Sequence, residues 1–299
     1  MQEKITRVAI FGNSYQQKKC AYVADVAHFL ESHGIQIAFE HTFATFIKNI
    51  RPHGLDAFSY PTFTCREDCL ADIAISMGGD GTFLHTAAYI RDQNIPILGI
   101  NTGHLGFLAD IPEHNITPGL EALLAGHFTL ESRGLIQAST EEMCINTYPF
   151  ALNEVAILKH DNSSLITIST SINGEPLAEY VADGLIVCTP TGSTGYSLSA
   201  GGPIVSPNTN SFCLTAIAPH SLNVRPVVVS DDVHIDLKVN SRSGKFLLSI
   251  DGRSETLGEQ IAISLRRAPY TVQVVKVMHQ NFFNTLREKM MWGMDSRDL

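Results

Sequence analysis

Positive charge is scarce in this chain. Lys and Arg number 21 against 30 Asp and Glu, a net charge of −9. No basic cluster offsets this, so the electrostatic footprint of a nucleic-acid binder is missing. No apolar run reaches the length of a membrane span. Residues 184–224 carry no Asp, Glu, Lys or Arg, but Gly, Pro, Ser, Thr and Asn interrupt them throughout, which excludes a spanning helix. The first residues, Met1-Gln2-Glu3-Lys4, are polar and lead straight into a strand, so no secretory signal is expected and a cytoplasmic location is. The six cysteines (Cys20, Cys65, Cys69, Cys144, Cys188 and Cys213) are scattered, Cys65 and Cys69 lack a second pair at zinc-ligand spacing, and the twelve histidines form no H-E-x-x-H. Reduced thiols and no structural metal are expected. G-x-x-x-x-G-K-[ST] and the kinase H-R-D and D-F-G motifs are missing, and Ser193 and Ser197 each lack one glycine of a nucleophile elbow.

What the chain does contain is ordinary in amount and specific in arrangement. At 299 residues and 44% hydrophobic it is long enough for two domains, each with its own core. The organising stretch is Gly78-Gly79-Asp80-Gly81-Thr82. The apolar run Ala71–Met77 reads as a buried strand, and Thr82–Ile90 has helical spacing, so the glycines sit at a strand-to-helix turn. In an open α/β sheet, ligands bind at the carboxyl ends of strands. There the bare backbone and the N–H groups of a following helix favour a phosphate. Asp80 is the odd member, because a carboxylate repels phosphate unless it binds a cation or takes a proton. Phosphoryl transfer, with Asp80 as base or metal partner, is one reading. Taken alone, the tripeptide reads first as Asp80 capping its helix.

Arg7–Gly12 and Ile35–Phe39 read as further strands, Lys19–His33 as a helix ended by Gly34, and Phe58–Cys69 as irregular. Ile95–Asn101 is the next strand, and its following loop, Asn101–Phe107, belongs beside the Asp80 turn on one rim of the sheet; His104 there is a lesser phosphate candidate. Leu120–Gly126 reads as a short helix. This alternation predicts an α/β domain over residues 1–132 with a mainly parallel sheet. From Arg133 the apolar residues shorten into alternating runs rich in Val, Ile and Thr, which predicts a predominantly β domain over 133–278. Residues 279–299 return to helical spacing, with Phe282, Phe283, Leu286 and Met290 on one side, and are expected to pack back on the first domain.

Three further clusters carry chemistry. Asn153-Glu154 interrupts an apolar strand. The amide suits the edge of adenine and the acid accepts from ribose hydroxyls; alone, the pair reads as a polar strand edge. Asp183-Gly184 precedes the strand Leu185–Cys188. Thr189–Pro203 is rich in hydroxyls and backbone donors without charge, which suits a neutral nucleoside better than a plain turn-rich connection.

These motifs, in this order, resemble the bacterial NAD kinase (ATP-NAD kinase) family. Gly78–Thr82 is similar to its GGDGT motif and Asn101–Phe107 to its N-x-G-x-L-G-F loop. Asn153-Glu154 is similar to its NE motif, and Asp183–Pro203 to its DG…TPTGSTAYSLSAGGP block. Gly195 departs from it, standing where the family has Ala, and is expected to affect affinity rather than reaction type. The resemblance implies an α/β domain and a β-rich domain with NAD in the cleft between them. It implies transfer of the ATP γ-phosphoryl group to the 2′-hydroxyl of the adenosine ribose of NAD, with Asp80 as general base. Gly78, Gly79, Gly81, Thr82 and Phe83 then line the phosphate path, and Asn153 and Glu154 hold adenosine. Asp183, Thr194, Gly195, Tyr196, Ser197, Leu198 and Ser199 surround the nucleosides, with Arg253, Val181 and Ser164 as further contacts. A divalent ion, magnesium, is implied, as is a homo-oligomer; no nucleic-acid or membrane partner is. Two other readings stand beside this one: a lipid or sugar kinase sharing only GGDG, and a non-catalytic NAD-binding sensor.

Overall fold

The structure, a computed structural model, describes residues 4–13, 21–51, 55, 59–103, 106–109, 111–141, 145–161, 164–277 and 280–292. The chain divides into two compact units: Met1–Ser132 together with Val272–Leu299, and Arg133–Thr271.

In the first unit the order is β1 (Arg7–Gly12), α1 (Ala21–Ser32), β2 (Gln36–Glu40), α2 (His41–Ile50), β3 (Thr62–Phe63), β4 (Ile73–Gly78), α3 (Asp80–Ile90), β5 (Ile97–Asn101), β6 (Ile111–Pro112) and α4 (Ile116–Leu124). Strands β3, β2, β1, β4 and β5 lie side by side in that order, all parallel. All six residues of β4 are buried, as expected for a strand covered on both faces. Helix α1 turns Val23, Ala24, Val26, Ala27 and Leu30 into the core, and the chain leaves it through Gly34 at φ +73°, a left-handed conformation that glycine adopts without a Cβ clash.

Helix α2 has no counterpart in the sequence reading. It starts because the Glu40 carboxylate accepts from the N–H groups of Thr42 (2.8 Å) and Phe43 (2.9 Å). A negative side chain at a helix N-terminus satisfies orphan donors and meets the positive end of the dipole. Phe43, Ala44 and Ile47 are its buried face.

The second unit follows through β7 (Phe128–Ser139), β8 (Phe150–Ala151), β9 (Glu154–Lys159), β10 (Ile166–Ile172), β11 (Glu175–Ala182), β12 (Gly184–Cys188), α5 (Tyr196–Ser199), β13 (Ser211–Ile217), β14 (Val227–Ser230), β15 (Ile235–Asn240), β16 (Lys245–Ile250) and β17 (Arg253–Gly258). The chain closes with β18 (Ile263–Val277) and α6 (Phe282–Met290). Strands β14, β13, β12, β9, β16 and β17 form one antiparallel sheet. Strands β11, β10, β15 and the first residues of β18 form another ladder, also antiparallel. Inward residues of both, among them Ile157, Leu185, Ile168, Leu237 and Phe246, make the core of this unit. The chain re-enters the first unit at Val272, within β18, where Val274 pairs parallel with Ile97 of β5.

The four described cysteines, Cys65, Cys69, Cys188 and Cys213, are free thiols. Among the described residues no helix is long and apolar enough to cross a membrane.

Candidate active site

In the first unit the parallel order places the switch point at β1 and β4: from β1 the chain proceeds outward to β2 and β3, and from β4 to β5 on the other side. The crevice at the carboxyl ends of those strands is where such sheets take ligands. A cavity of about 410 Å³ opens here, lined by Gly12, Asn13, Glu40, Thr42, Phe43, Gly81, Thr82 and His85.

Helix α3 begins at Asp80, with Gly79 as its N-cap and no side-chain cap bond. Asp80 therefore does not cap its own helix. Its carboxylate turns to the loop after β5: the N–H of Phe107 donates to Oδ2 (2.9 Å), and the N–H groups of Leu108 (3.0 Å) and Ala109 (3.1 Å) donate to Oδ1. Asn101 holds the same loop, its amide donating to the Ala109 carbonyl (3.1 Å) while its oxygen accepts from the Gly103 N–H (2.6 Å). The two rim motifs are thus bonded together, and the register Gly78↔Asn101 starts them level. Gly106 is a space requirement: a Cβ there would collide with the Asp80 carboxylate. Gly78 has the same character toward the Thr82 side chain, whereas Gly79 and Gly81 face open space. That leaves bare backbone at the N-terminus of α3, where the Thr82 N–H is already turned to the Gly79 carbonyl (3.0 Å) and the N–H groups of Asp80 and Gly81 come before the intrahelical ladder begins.

A carboxylate offers about four lone-pair positions. Three are filled by backbone N–H groups, two of them on Oδ1. The remaining one belongs to Oδ2. The Phe83 ring is fully buried, so its side chain serves the core rather than a ligand. His104 lies outside the described residues.

In the second unit Asn153 and Glu154 sit at the start of β9. Asp251 (φ +46°) accepts from three consecutive N–H groups, those of Leu152 (2.7 Å), Asn153 (2.9 Å) and Glu154 (3.1 Å). It fixes this edge as Asp80 fixes the other loop. The block Thr189–Pro203 folds onto the same edge. The Thr189 N–H donates to the Asn153 carbonyl (2.8 Å) and its hydroxyl to the Leu152 carbonyl (2.6 Å). A Cβ on Gly192 would strike the Asn153 backbone. The block is not an irregular loop: it holds a 3-10 turn, Thr191–Thr194, and the single turn α5. Several of its hydroxyls bond within the block or to the strand beside it. Ser193 bonds to Pro190 and Val205, Thr194 to Thr191, and the fully buried Ser197 to Thr215. These bonds hold the block's own shape; the fully buried Ser197 side chain serves that purpose, while half-buried Thr194 keeps acceptor capacity on its hydroxyl. Tyr196 and Ser199 are exposed and Leu198 half-buried.

Of the side-chain polar atoms buried without a hydrogen-bond partner among the described residues, three belong to the predicted site residues here: Asn153 Oδ1, Glu154 Oε2 and Arg253 Nε. An unsatisfied buried polar group is costly unless something completes it. Gly195 overlooks two of these residues. A Cβ there would lie 3.4 Å from Glu154 Oε2 and 3.5 Å from Asn153 Nδ2, so the missing methyl enlarges the space in front of them. Arg253 also donates to the Phe150 carbonyl (2.9 Å) and stacks over Tyr148, 5.7 Å from the ring centre. Asp183 is ion-paired with Lys159 (2.6 Å). Ser164, just before β10, and Val181, on β11, belong to the other ladder.

Burial, and then the neighbouring Asp251 carboxylate, push the Glu154 pKa up to about 7. Glu154 titrates from 4.5 in the unfolded chain, so between those values the folded state holds the extra proton. Stability therefore falls as pH rises through that window and is flat above it. Burial raises Asp251 too, against the pull of its N–H donors and Arg253. The melting temperature is expected to fall as pH goes from about 5 to about 8, and Glu154→Gln, which keeps the shape without the charge, to flatten much of that slope. Melting curves of both proteins in matched buffers check it; parallel slopes would sink the assignment.

Asp251, two residues before Arg253, is a further residue of this edge that the sequence reading does not include. Its Asp-Gly context, a turn between two apolar strands, was the available signal.

The chain matches the family models "ATP-NAD kinase N-terminal domain" over residues 8–128 and "ATP-NAD kinase C-terminal domain" over 152–277. An NAD kinase of Bacteroides fragilis is 48% identical over 294 residues, 97% of this chain and 99% of that protein. One of Cytophaga hutchinsonii is 41% identical over 291 residues, covering 97% and 99%. A yeast NADH kinase solved with NADH superposes with a TM-score of 0.85 at 24% identity, covering 98% of this chain and 90% of that one. An Archaeoglobus fulgidus NAD kinase solved with ATP gives 0.76 at 24%, covering 96% and 99%; at that identity both show a shared fold.

Proposed function

The chain belongs to the NAD kinase family, and we infer from its own groups that Asp80 is the base and that Asn153, Glu154 and Arg253 hold the adenosine of the acceptor. The activity is that of the family: ATP-dependent phosphorylation of NAD to NADP. A lipid or sugar kinase sharing only the GGDG turn does not account for relatives that match along nearly the whole chain.

The observation that carries the assignment is the state of the Asp80 carboxylate. Three N–H groups fix its orientation and leave one lone pair, on Oδ2, beside the open backbone of Gly79 and Gly81. A general base needs that arrangement: a fixed carboxylate with a vacant position facing the reacting hydroxyl. The proton of the acceptor hydroxyl goes to Oδ2 as the oxygen attacks the γ-phosphorus and the bond from that phosphorus to the β,γ-bridging oxygen breaks, releasing ADP, while N–H groups at the head of α3 meet phosphate oxygens. The acceptor's adenosine completes Asn153 Oδ1, Glu154 Oε2 and Arg253 Nε.

A magnesium ion fits this chain as the partner of the ATP phosphates. Mg²⁺ needs few protein ligands beside phosphate oxygens, and with the Asp80 lone pair kept for the acceptor's proton it would be held chiefly by the ATP phosphates. There it would supply charge neutralisation on the phosphates. Cytoplasmic location and a homo-oligomer belong to the same reading. Purified protein with NAD, ATP and Mg²⁺, and NADP measured by a coupled dehydrogenase, tests the function; NAD bound without turnover would make the chain a sensor instead.

Asn153→Ala separates binding from stability. The substitution removes a buried oxygen that has no partner, so the free protein is expected to melt within a degree or so of wild type. NAD loses a hydrogen bond worth about 1–3 kcal/mol in a buried site, or roughly 5- to 150-fold in affinity. Calorimetry and melting curves decide it: unaltered NAD affinity with a large melting shift would make the pair structural.

A further inference from the structure

We propose that Lys289, carried to the site by α6, is the cation that holds the phosphoryl group during transfer. The proposal rests on the NAD kinase reading and names a residue for that same site.

The phosphate path has no positive side chain of its own. Neither Ser76–Ile90 nor Ile97–Ala109 contains a Lys or Arg, yet the groups to be handled are strongly anionic. The C-terminal helix supplies one. The Phe282 ring packs on Phe107, 5.9 Å between centres, at the start of α6. Two turns later the Lys289 ammonium lies 4.6 Å from the Phe107 ring centre and 3.9 Å from Asp80 Oδ2. Phe107 is also the residue whose N–H donates to Oδ2. Lys289 thus stands at the one carboxylate oxygen that keeps a free lone pair.

The spacing distinguishes a poised charge from a structural anchor. At 3.9 Å the ammonium is beyond direct hydrogen-bond distance, and both side chains are about a third exposed (34% and 31%). Such a pair contributes little to stability and exchanges partners readily. A phosphoryl group arriving beside Gly79 and Gly81 carries more negative charge than Asp80 does and draws the ammonium to its oxygens. The exchange also bares Oδ2 for the acceptor's proton. No covalent bond to Lys289 forms or breaks; its N–H groups change acceptor, from carboxylate to phosphate.

The full-length protein tests this with Lys289→Met, which keeps the stem and removes the charge, and Lys289→Arg, which keeps the charge. Lys289→Met is expected to lower kcat/KM for ATP by about 10²-fold, with KM for NAD within about twofold of wild type and Lys289→Arg recovering most of the loss. Binding of ATP with Mg²⁺, followed calorimetrically without NAD, is expected to weaken in Lys289→Met alone. If Lys289→Met matches wild type in the ATP parameters, or loses activity only in proportion to unfolded protein, the inference is overturned while the kinase reading stands. A wild-type protein that makes no NADP overturns both.

Discussion

Replacing Asp80 by Asn is expected to lower kcat by about 10²–10⁴-fold, the usual worth of a general base, with NAD affinity changed much less. The geometry adds a complication. Asp80 accepts three backbone N–H groups across two oxygens. An Asn keeps one acceptor oxygen and turns the other position into a donor, which then faces either the Phe107 N–H or those of Leu108 and Ala109. Some loss would follow from a loosened loop alone. Gly106→Ala is the companion variant, because its Cβ displaces the carboxylate while leaving its charge. Pre-steady-state turnover of both variants, with NAD affinity measured beside it, separates the two effects. If Asp80→Asn turns over at near the wild-type rate, Asp80 is a clamp for residues 106–109 and the base must be sought elsewhere.

The parts of this arrangement that could be read from sequence are local ones. A buried strand, three glycines and a helix mark the turn by their order alone. Asn101–Phe107 is placed beside it by the same rule applied to the next strand. What escaped depends on distant partners. Helix α2 was missed because its start signal is Glu40, a residue that also ends an apolar strand and does not stand out as a cap. Asp251 gave no sign that its carboxylate reaches back to Leu152–Glu154. The hydroxyls of Thr189–Pro203 read as ligand groups, since composition cannot tell a hydroxyl that meets a ligand from one closing its own turn, as those of Ser193 and Ser197 do. Lys289 was one basic residue among several in a terminal helix. Only the packing of Phe282 on Phe107 brings it to Asp80.

Two adenine-dinucleotide riboses are open to phosphorylation in principle, and the chain's own groups favour one. Asn153 offers an amide for a base edge, and Glu154 an acid for the ribose attached to it. Asp251 holds the backbone of both residues through their N–H groups, which fixes the strand edge from which the two side chains project. The orphan oxygens of this pair are completed by adenosine, whose amino group and hydroxyls are donors; the nicotinamide nucleoside also has hydroxyls, but its donor is a carboxamide on a single six-membered ring in place of a purine edge. A 2′-deoxyadenosine analogue of NAD is therefore expected to bind, through its base, and to yield no phosphorylated product, while NAD yields a single product phosphorylated on the adenosine 2′-oxygen. The loss is absolute rather than graded, because the analogue lacks the nucleophile that Asp80 would deprotonate. Mass spectrometry and phosphorus NMR of the two reactions decide it. Phosphate on the nicotinamide ribose, or a phosphorylated deoxy analogue, would show that the pair orients something other than the adenosine end, and the assignment of Asn153 and Glu154 would have to be withdrawn.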